Sequence, residues 1–186
     1  MVKVIRGKYK IQNLVATTSL EVKIPLVKLA KSNPNTEYNP EQFPGLVLRI
    51  QKPKSAVLVF SSGNLVCTGT RNMAQVKEVI KQVIKELKKI GIKVKVKPKL
   101  TIQNIVASGE ININLNLNQL SLILENTEYE PEQFPGLVYK IATPNATFLL
   151  FGNGRLVCTG TKNKEELQAA IDTLRKNLKE VLSGGA

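Results

Sequence analysis

The strongest constraint on this chain is that its sequence is duplicated. Residues 11–72 return at residues 102–163, in register, without a gap, at a constant offset of 91. Roughly half of the aligned positions are identical, which makes the repeat the unit of folding to be read first. Glu37-Tyr-Asn-Pro-Glu-Gln-Phe-Pro-Gly-Leu-Val47 returns as Glu128-Tyr-Glu-Pro-Glu-Gln-Phe-Pro-Gly-Leu-Val138. Ile11-Gln-Asn-Leu-Val-Ala16 returns as Ile102-Gln-Asn-Ile-Val-Ala107, and Leu65-Val-Cys-Thr-Gly-Thr70 as Leu156-Val-Cys-Thr-Gly-Thr161. Two copies of about ninety residues, each too small for a deep core, imply one molecule with an internal pseudo-two-fold axis. Every surface feature is then presented twice, and the natural partner is itself roughly two-fold symmetric. The chain divides accordingly into residues 1–98, the first repeat with its basic N-terminus and a linking strand, and residues 99–186, the second.

Composition removes several classes of function. The chain has no histidine, no tryptophan and two cysteines, Cys67 and Cys158, at equivalent positions of the repeat. Two thiols without histidine do not assemble an ordinary structural zinc site. The expectation is buried, reduced thiols in an intracellular protein, with no metal and no cofactor. No apolar run reaches the length of about eighteen residues that a membrane helix needs. The basic N-terminus also lacks the apolar stretch of a signal peptide. There is no phosphate-cradling glycine loop and no nucleophile beside a base, so an enzyme is the weakest reading.

The net charge of +13 is unevenly placed. Residues 1–101 carry 20 Lys/Arg against 5 Asp/Glu, whereas residues 102–186 carry 7 against 9. Such a bias suits a polyanion, without choosing among DNA, RNA and lipid headgroups.

Period and punctuation give each copy the same plan. A strand, Tyr9–Thr17 or Leu100–Ser108, opens it. A short helix follows, with Pro25 in its first turn, its counterpart being Asn118–Leu124. After the Phe-Pro-Gly corner come three strand-like runs, Leu46–Gln51, Ala56–Phe60 and Leu65–Thr70 in the first copy, joined as a meander. A long helix closes each copy, with Val76, Val79, Ile80, Val83, Ile84, Leu87 and Ile90 forming an apolar stripe in the first. Leu167, Ala170, Ile171, Leu174, Leu178 and Leu182 repeat the stripe in the second. Asn72 with Gln75, and Asn163 with Glu166, read as capping boxes. Lys93, Lys95, Lys97 and Lys99 alternate along the linking strand. The Ile/Leu-Asn alternation from Ile111 to Asn118 reads as an exposed strand edge running into the short helix. The class is α+β with antiparallel pairing.

Splitting each strand by parity leaves one face without a cover. Leu14, Ala16, Val57, Val59, Leu65 and Cys67 are expected beneath the long helix. The opposite set is Asn13, Val15, Thr17, Leu58, Phe60, Val66 and Thr68, with Asn104, Val106, Ser108, Leu149, Phe151, Val157 and Thr159 in the second copy. Both sets are largely apolar, yet each half supplies helices for only one layer. A bare apolar strip with a few small polar groups marks an interaction surface. Occupants open at this point are a duplex, a single-stranded RNA stacked on phenylalanines, and a protein, including a second copy of the chain.

The repeated motifs resemble the TATA-box-binding protein family in its archaeal form, from about Lys10 to the C-terminal helix. The resemblance implies a pseudo-two-fold saddle, a ten-stranded antiparallel sheet with a concave DNA-binding face and four helices on the convex face. It implies a general transcription factor that binds promoter TATA elements in the minor groove, bends them and nucleates a complex with transcription factor B and RNA polymerase. The alternative is an interaction or self-associating module using the apolar sheet face. The free protein is then a candidate homodimer through that face. An archaeal protein of this kind works in the cytoplasm at the nucleoid; a eukaryotic one would be nuclear.

The resemblance also assigns roles. Asn13 and Asn104 take the place of the family's central asparagines, whose amides donate to the acceptors that A·T pairs expose, whereas a G·C pair adds an amino donor. Val15, Val106, Leu58, Leu149, Val66 and Val157 form the apolar floor, and Thr68 and Thr159 the paired hydroxyls. Phe43, Phe60, Phe134 and Phe151 are the wedges, with Pro44 and Pro135 beside them. The wedge mechanism, unstacking base steps at a cost of about a few kcal/mol each in exchange for bent DNA, comes with the family and not from the residues. Phe148 falls on the other face and is expected in the core. Arg49, Lys140, Arg71, Lys162 and Arg155 take phosphate-contacting positions. Asn64, opposite Arg155, stands where the family commonly has lysine, and Gln42 and Gln133 where a basic residue is frequent. Glu128, Glu130 and Glu132 resemble the docking site for transcription factor B, with Asn39 in place of Glu130 in the first copy. Lys77, Lys81, Lys85, Lys88 and Lys89 give the first long helix a basic face for regulators or flanking DNA.

Overall fold

A computed structural model of the chain describes residues 7–183. Lys3 and Arg6 of the basic N-terminus lie outside the described residues. The same succession of elements occurs twice. The first comprises β1 (Gly7–Ser19), α1 (Leu26–Ser32), β2 (Thr36–Glu37), β3 (Leu46–Ile50), β4 (Ser55–Val59), β5 (Asn64–Thr70) and α2 (Met73–Lys89). The second comprises β6 (Thr101–Ile111), α3 (Leu117–Ile123), β7 (Thr127–Glu128), β8 (Leu137–Ile141), β9 (Ala146–Leu150), β10 (Arg155–Thr161) and α4 (Lys164–Ser183). The strands hydrogen-bond in the order β2-β3-β4-β5-β1-β6-β10-β9-β8-β7, so the ten-stranded antiparallel sheet and four helices are present. At two residues each, β2 and β7 are too short for periodicity to reveal.

The chain divides into two compact units, Asn13–Gln103 and residues 7–12 with 104–183. Each unit includes part of β1 and part of β6. Within Asn13–Gln103, Leu14, Ala16, Val57, Val59, Leu65 and Cys67 are buried in one cluster with Val76, Val79, Ile80, Val83 and Leu87 of α2. The spacing of three and four residues puts that stripe on one side of the helix. Burying each such side chain stabilises the fold by about 1.5–3 kcal/mol. In the other unit Ile105, Ala107, Phe148, Leu150, Leu156 and Cys158 are buried, as are Leu167, Ala170, Ile171, Leu174 and Leu178 of α4, where Val181 and not the expected Leu182, which is exposed, closes the stripe. Phe148 is a core residue, as its parity requires.

The helix starts follow the sequence with one adjustment. Asn72 Oδ1 accepts from Gln75 N at 2.9 Å, while Gln75 Oε1 accepts from Arg71 N at 2.8 Å, one residue before the cap. Asn163 and Glu166 do the same, with Glu166 N donating to Asn163 Oδ1 at 2.7 Å and Lys162 N to Glu166 Oε2 at 2.8 Å. Pro25 sits at the N-cap of α1 rather than inside its first turn, and α3 begins one residue earlier than expected because Asn116 caps it.

Two segments differ from their reading. The expected linking strand around Lys93–Lys99 is not a strand. Its lysines are exposed and Ile92, Val94 and Leu100 pack partly against the core, so the alternation reflects a segment lying along that core. Pro98 has no N–H to offer a ladder. The Ile/Leu-Asn stretch is likewise more than an exposed edge. Ile111 and Leu115 are buried, and their N–H groups donate to Gly154 O and Gly152 O, both at 2.9 Å. Leu20 and Ile24 repeat this with Gly63 O and Ser61 O. Gly63 and Gly154 have φ of +92° and +83°, and a Cβ on them would run into Val22 O and Ile111 O, which is why glycine stands at both turns.

The two cysteines are free and buried. Burial pushes the Cys67 thiol up to about 11, with a hydrogen bond to Thr70 acting the other way, and the Cys158 thiol up to about 12. Both stay protonated and inert at neutral pH.

Candidate nucleic-acid interface

In each unit the strand residues on the face opposite the core are half-buried or exposed, whereas those facing the long helix are buried. Within Asn13–Gln103 one row runs Thr17, Val66, Leu58, Val47, each directly opposite the next across β1, β5, β4 and β3. The other unit has Ser108, Val157, Leu149 and Val138 in the same relation. Val15 and Val106 lie on the same faces by parity, and all of these side chains are half-buried. Val47 and Val138 were not among the residues singled out from sequence. The signal was present, since the valines precede Arg49 and Lys140, both assigned to phosphate contacts, by two and so share their side of the strand.

A second row, Thr68, Ala56, Arg49, corresponds to Thr159, Thr147, Lys140. Here the asparagines enter. Asn13 Oδ1 accepts from Gly69 N at 2.7 Å, and Asn13 Nδ2 donates to Thr68 Oγ1 at 3.1 Å. Asn104 makes the same bonds with Gly160 N at 2.8 Å and Thr159 Oγ1 at 3.1 Å. A backbone N–H can only donate, so each amide is held with its oxygen inward. One hydrogen of each Nδ2 remains for a ligand. Gly69 and Gly160 have φ of +90° and +101°, a backbone that turns the N–H toward the amide and that side-chain-bearing residues rarely adopt.

The four phenylalanines form two pairs. Phe43 and Phe60 meet edge to face with ring centroids 5.9 Å apart, and Phe134 and Phe151 at 6.0 Å. Phe43 is 41% and Phe134 42% exposed, unusual for rings with no structural need to face water. A Cβ on Gly45 would come within 2.7 Å of the Phe43 ring and 3.0 Å of Phe60, and Gly136 is equally close to Phe134 and Phe151. The Phe-Pro-Gly corner therefore needs its glycine to bring the rings together. Pro44 and Pro135 beside them are exposed.

Cations stand around each face. Arg49 and Lys140 are exposed and ion-paired with Glu37 at 2.8 Å and Glu128 at 2.7 Å. The hydrogen bond from Arg49, and then its charge, hold the Glu37 carboxyl below its ordinary range. Exposed pairs of this kind contribute little in water, so a phosphate can recruit either cation at little cost. Arg71 and Lys162 are exposed at the starts of α2 and α4, and Arg155 at the start of β10.

Glu128, Glu130 and Glu132 are also exposed. Glu128, grouped with the other two by sequence, is the partner of Lys140, while Glu130 O caps the turn by accepting from Gln133 N and Phe134 N. Among the described residues no group of three or more candidate metal ligands occurs.

A strand-helix-meander-helix unit present twice, each copy with a bare apolar face, a fixed amide donor, an aromatic pair and cations, defines a duplicated surface-binding protein rather than a pocket protein. The family described as "Transcription factor TFIID (or TATA-binding protein, TBP)" matches residues 8–90 and 99–181, and the chain belongs to it. It is 49% identical over 176 residues to the TATA-box-binding protein of Picrophilus torridus, covering 94% of this chain and 96% of that one. Against the Archaeoglobus fulgidus protein of the same name the identity is 47% over 174 residues, covering 92% and 95%. The solved structure described as Methanococcus jannaschii TBP superposes with a TM-score of 0.88 at 44% identity, covering 93% of this chain and 99% of that one.

Proposed function

We propose that the chain is a general transcription factor that binds promoter TATA elements in the minor groove, wedges them open and bends them. It then nucleates assembly with transcription factor B and RNA polymerase. The observation that carries this reading is the pair of amides, Asn13 and Asn104, whose oxygens are engaged by Gly69 and Gly160 and whose free N–H groups stand on an apolar face. The minor groove of A·T pairs offers acceptors only, so such a donor is satisfied there. At G·C the guanine amino group meets a second donor or an aliphatic side chain and loses its water. The valine and leucine rows supply contact area, the phenylalanine pairs the wedges, and Arg49, Lys140, Arg71, Lys162 and Arg155 the phosphate contacts. Specificity at untouched positions comes from TA steps, which unstack easily. The relatives' name and the family match support the same reading. No described helix is long and apolar enough to cross a membrane.

Glu130 and Glu132 are proposed to receive transcription factor B, and the exposed lysines of α2 to meet regulators. In a gel-shift titration with a TATA duplex, Glu130→Ala/Glu132→Ala is expected to retain binary binding within about two-fold while weakening the complex with transcription factor B by about ten-fold, the effect of losing about 1.4 kcal/mol. An undiminished ternary complex removes these two residues from the docking site.

A further inference from the structure

Beside each inner phenylalanine lies a groove, and the two grooves differ in charge. The one next to Phe151, about 730 Å³, has Lys8, Lys10, Arg155 and Glu110 as its charged lining residues. The one next to Phe60, about 580 Å³, is lined by equivalent positions of the repeat but has only Lys99 as a charged residue. At the offset of 91, Lys8 matches Lys99, Lys10 matches Thr101, Arg155 matches Asn64 and Glu110 matches Ser19. Each groove is built wholly within one unit.

The lysines face the interface rather than the helices. Tyr9, between them, turns the other way and donates its hydroxyl to Gln168 Oε1 of α4 at 2.9 Å. Alternation along β1 therefore puts Lys8 and Lys10 on the face that carries Phe151 and Val157. Lys8, Lys10 and Arg155 are exposed, and none belongs to an ion pair among the described residues. Three unpaired cations against one carboxylate, around a groove next to an aromatic side chain, leave a positive excess that fits the phosphates on either side of an unstacked base step.

We propose that Lys8, Lys10 and Arg155 form a phosphate clamp beside Phe151, which anchors one end of the duplex more firmly than the Phe60 groove anchors the other. This rests on the minor-groove reading and adds to it Lys8 and Lys10, and an inequality between the two ends.

The test is a salt series of equilibrium binding to a TATA duplex with the full chain. Each phosphate contact contributes about 0.9 to the slope of log K against log salt. Lys8→Gln/Lys10→Gln is expected to flatten that slope by about 2 and Lys99→Gln by about 1, both keeping the preference for TATA over a G·C duplex. Asn64→Arg, which gives the poorer groove the cation of the richer one, is expected to steepen it by about 1. A double variant with the wild-type slope overturns the clamp, and an Asn64→Arg variant with the wild-type slope overturns the equivalence of the grooves. A wild-type chain with no TATA preference overturns the underlying reading, and does so before any variant is compared.

Discussion

Exchanging both central amides for carboxylates, Asn13→Asp/Asn104→Asp, is expected to weaken binding to a TATA duplex by about 100-fold or more with the fold intact. The change is one atom in kind at each site. A carboxylate still accepts from Gly69 N and Gly160 N, the bonds now made at 2.7 and 2.8 Å. The Thr68 and Thr159 hydroxyls rotate to donate where they now accept. What disappears is the Nδ2 donor, and what replaces it is a full negative charge facing acceptor atoms. Two lost hydrogen bonds at about 1–1.5 kcal/mol each give the 100-fold, and repulsion adds to it. Thermal unfolding measured beside the titration separates recognition from stability, with a Tm within a few degrees of wild type expected. Asn13→Ala/Asn104→Ala makes the contrast, since it also removes the side-chain acceptors that tie β1 to Gly69 N and β6 to Gly160 N, and is expected to lower Tm as well. Undiminished TATA binding by the Asp variant would remove the amides from recognition altogether.

Removing one wedge, Phe43→Ala/Phe60→Ala, is expected to raise the Kd for TATA DNA by about 100-fold and to relax the bend at one end of the site. The two rings lie edge to face at 5.9 Å and one is 41% exposed, so the pair is held on the surface rather than used as core. Aromatic stacking against a base contributes about 1–3 kcal/mol. Losing both rings, less the bending cost recovered at that end, therefore takes away about 3 kcal/mol. Fluorescence transfer between dyes at the duplex ends reads the bend, and a titration reads the affinity. Phe134→Ala/Phe151→Ala is the equivalent change in the other unit. Equal bending by wild type and the Phe43/Phe60 variant would show that the rings are not wedges.

Much of this surface was legible before any coordinates. The duplication fixed element order, and strand parity separated Leu14, Ala16, Val57 and Val59, all buried, from Val15, Thr17, Leu58 and Val66, all half-buried. Parity works here because each strand is buried on one face by a helix and left bare on the other. What escaped depends on non-local pairing. Two-residue strands such as β2 exist only because β3 offers them a ladder, and the 92–100 segment alternates without being a strand because no ladder is offered. The roles of Gly45 and Gly69 required knowing which atoms approach them. The Lys8 and Lys10 cluster was hidden because a parity count carried back from Asn13 places these even-numbered residues on the core face. Tyr9, bonded to α4, shows that the faces are exchanged between Tyr9 and Asn13.

The measurement that bears most directly on the central claim is a competition titration of the wild-type chain. A labelled TATA duplex is displaced by an unlabelled TATA duplex or by the same duplex with its A·T pairs replaced by G·C. Each unfavourable base pair costs about 1–3 kcal/mol, so the account predicts that the G·C competitor is at least about 1,000-fold weaker. Equal competition by the two duplexes would contradict it, because a sheet that reads acceptors through fixed amide donors cannot treat them alike.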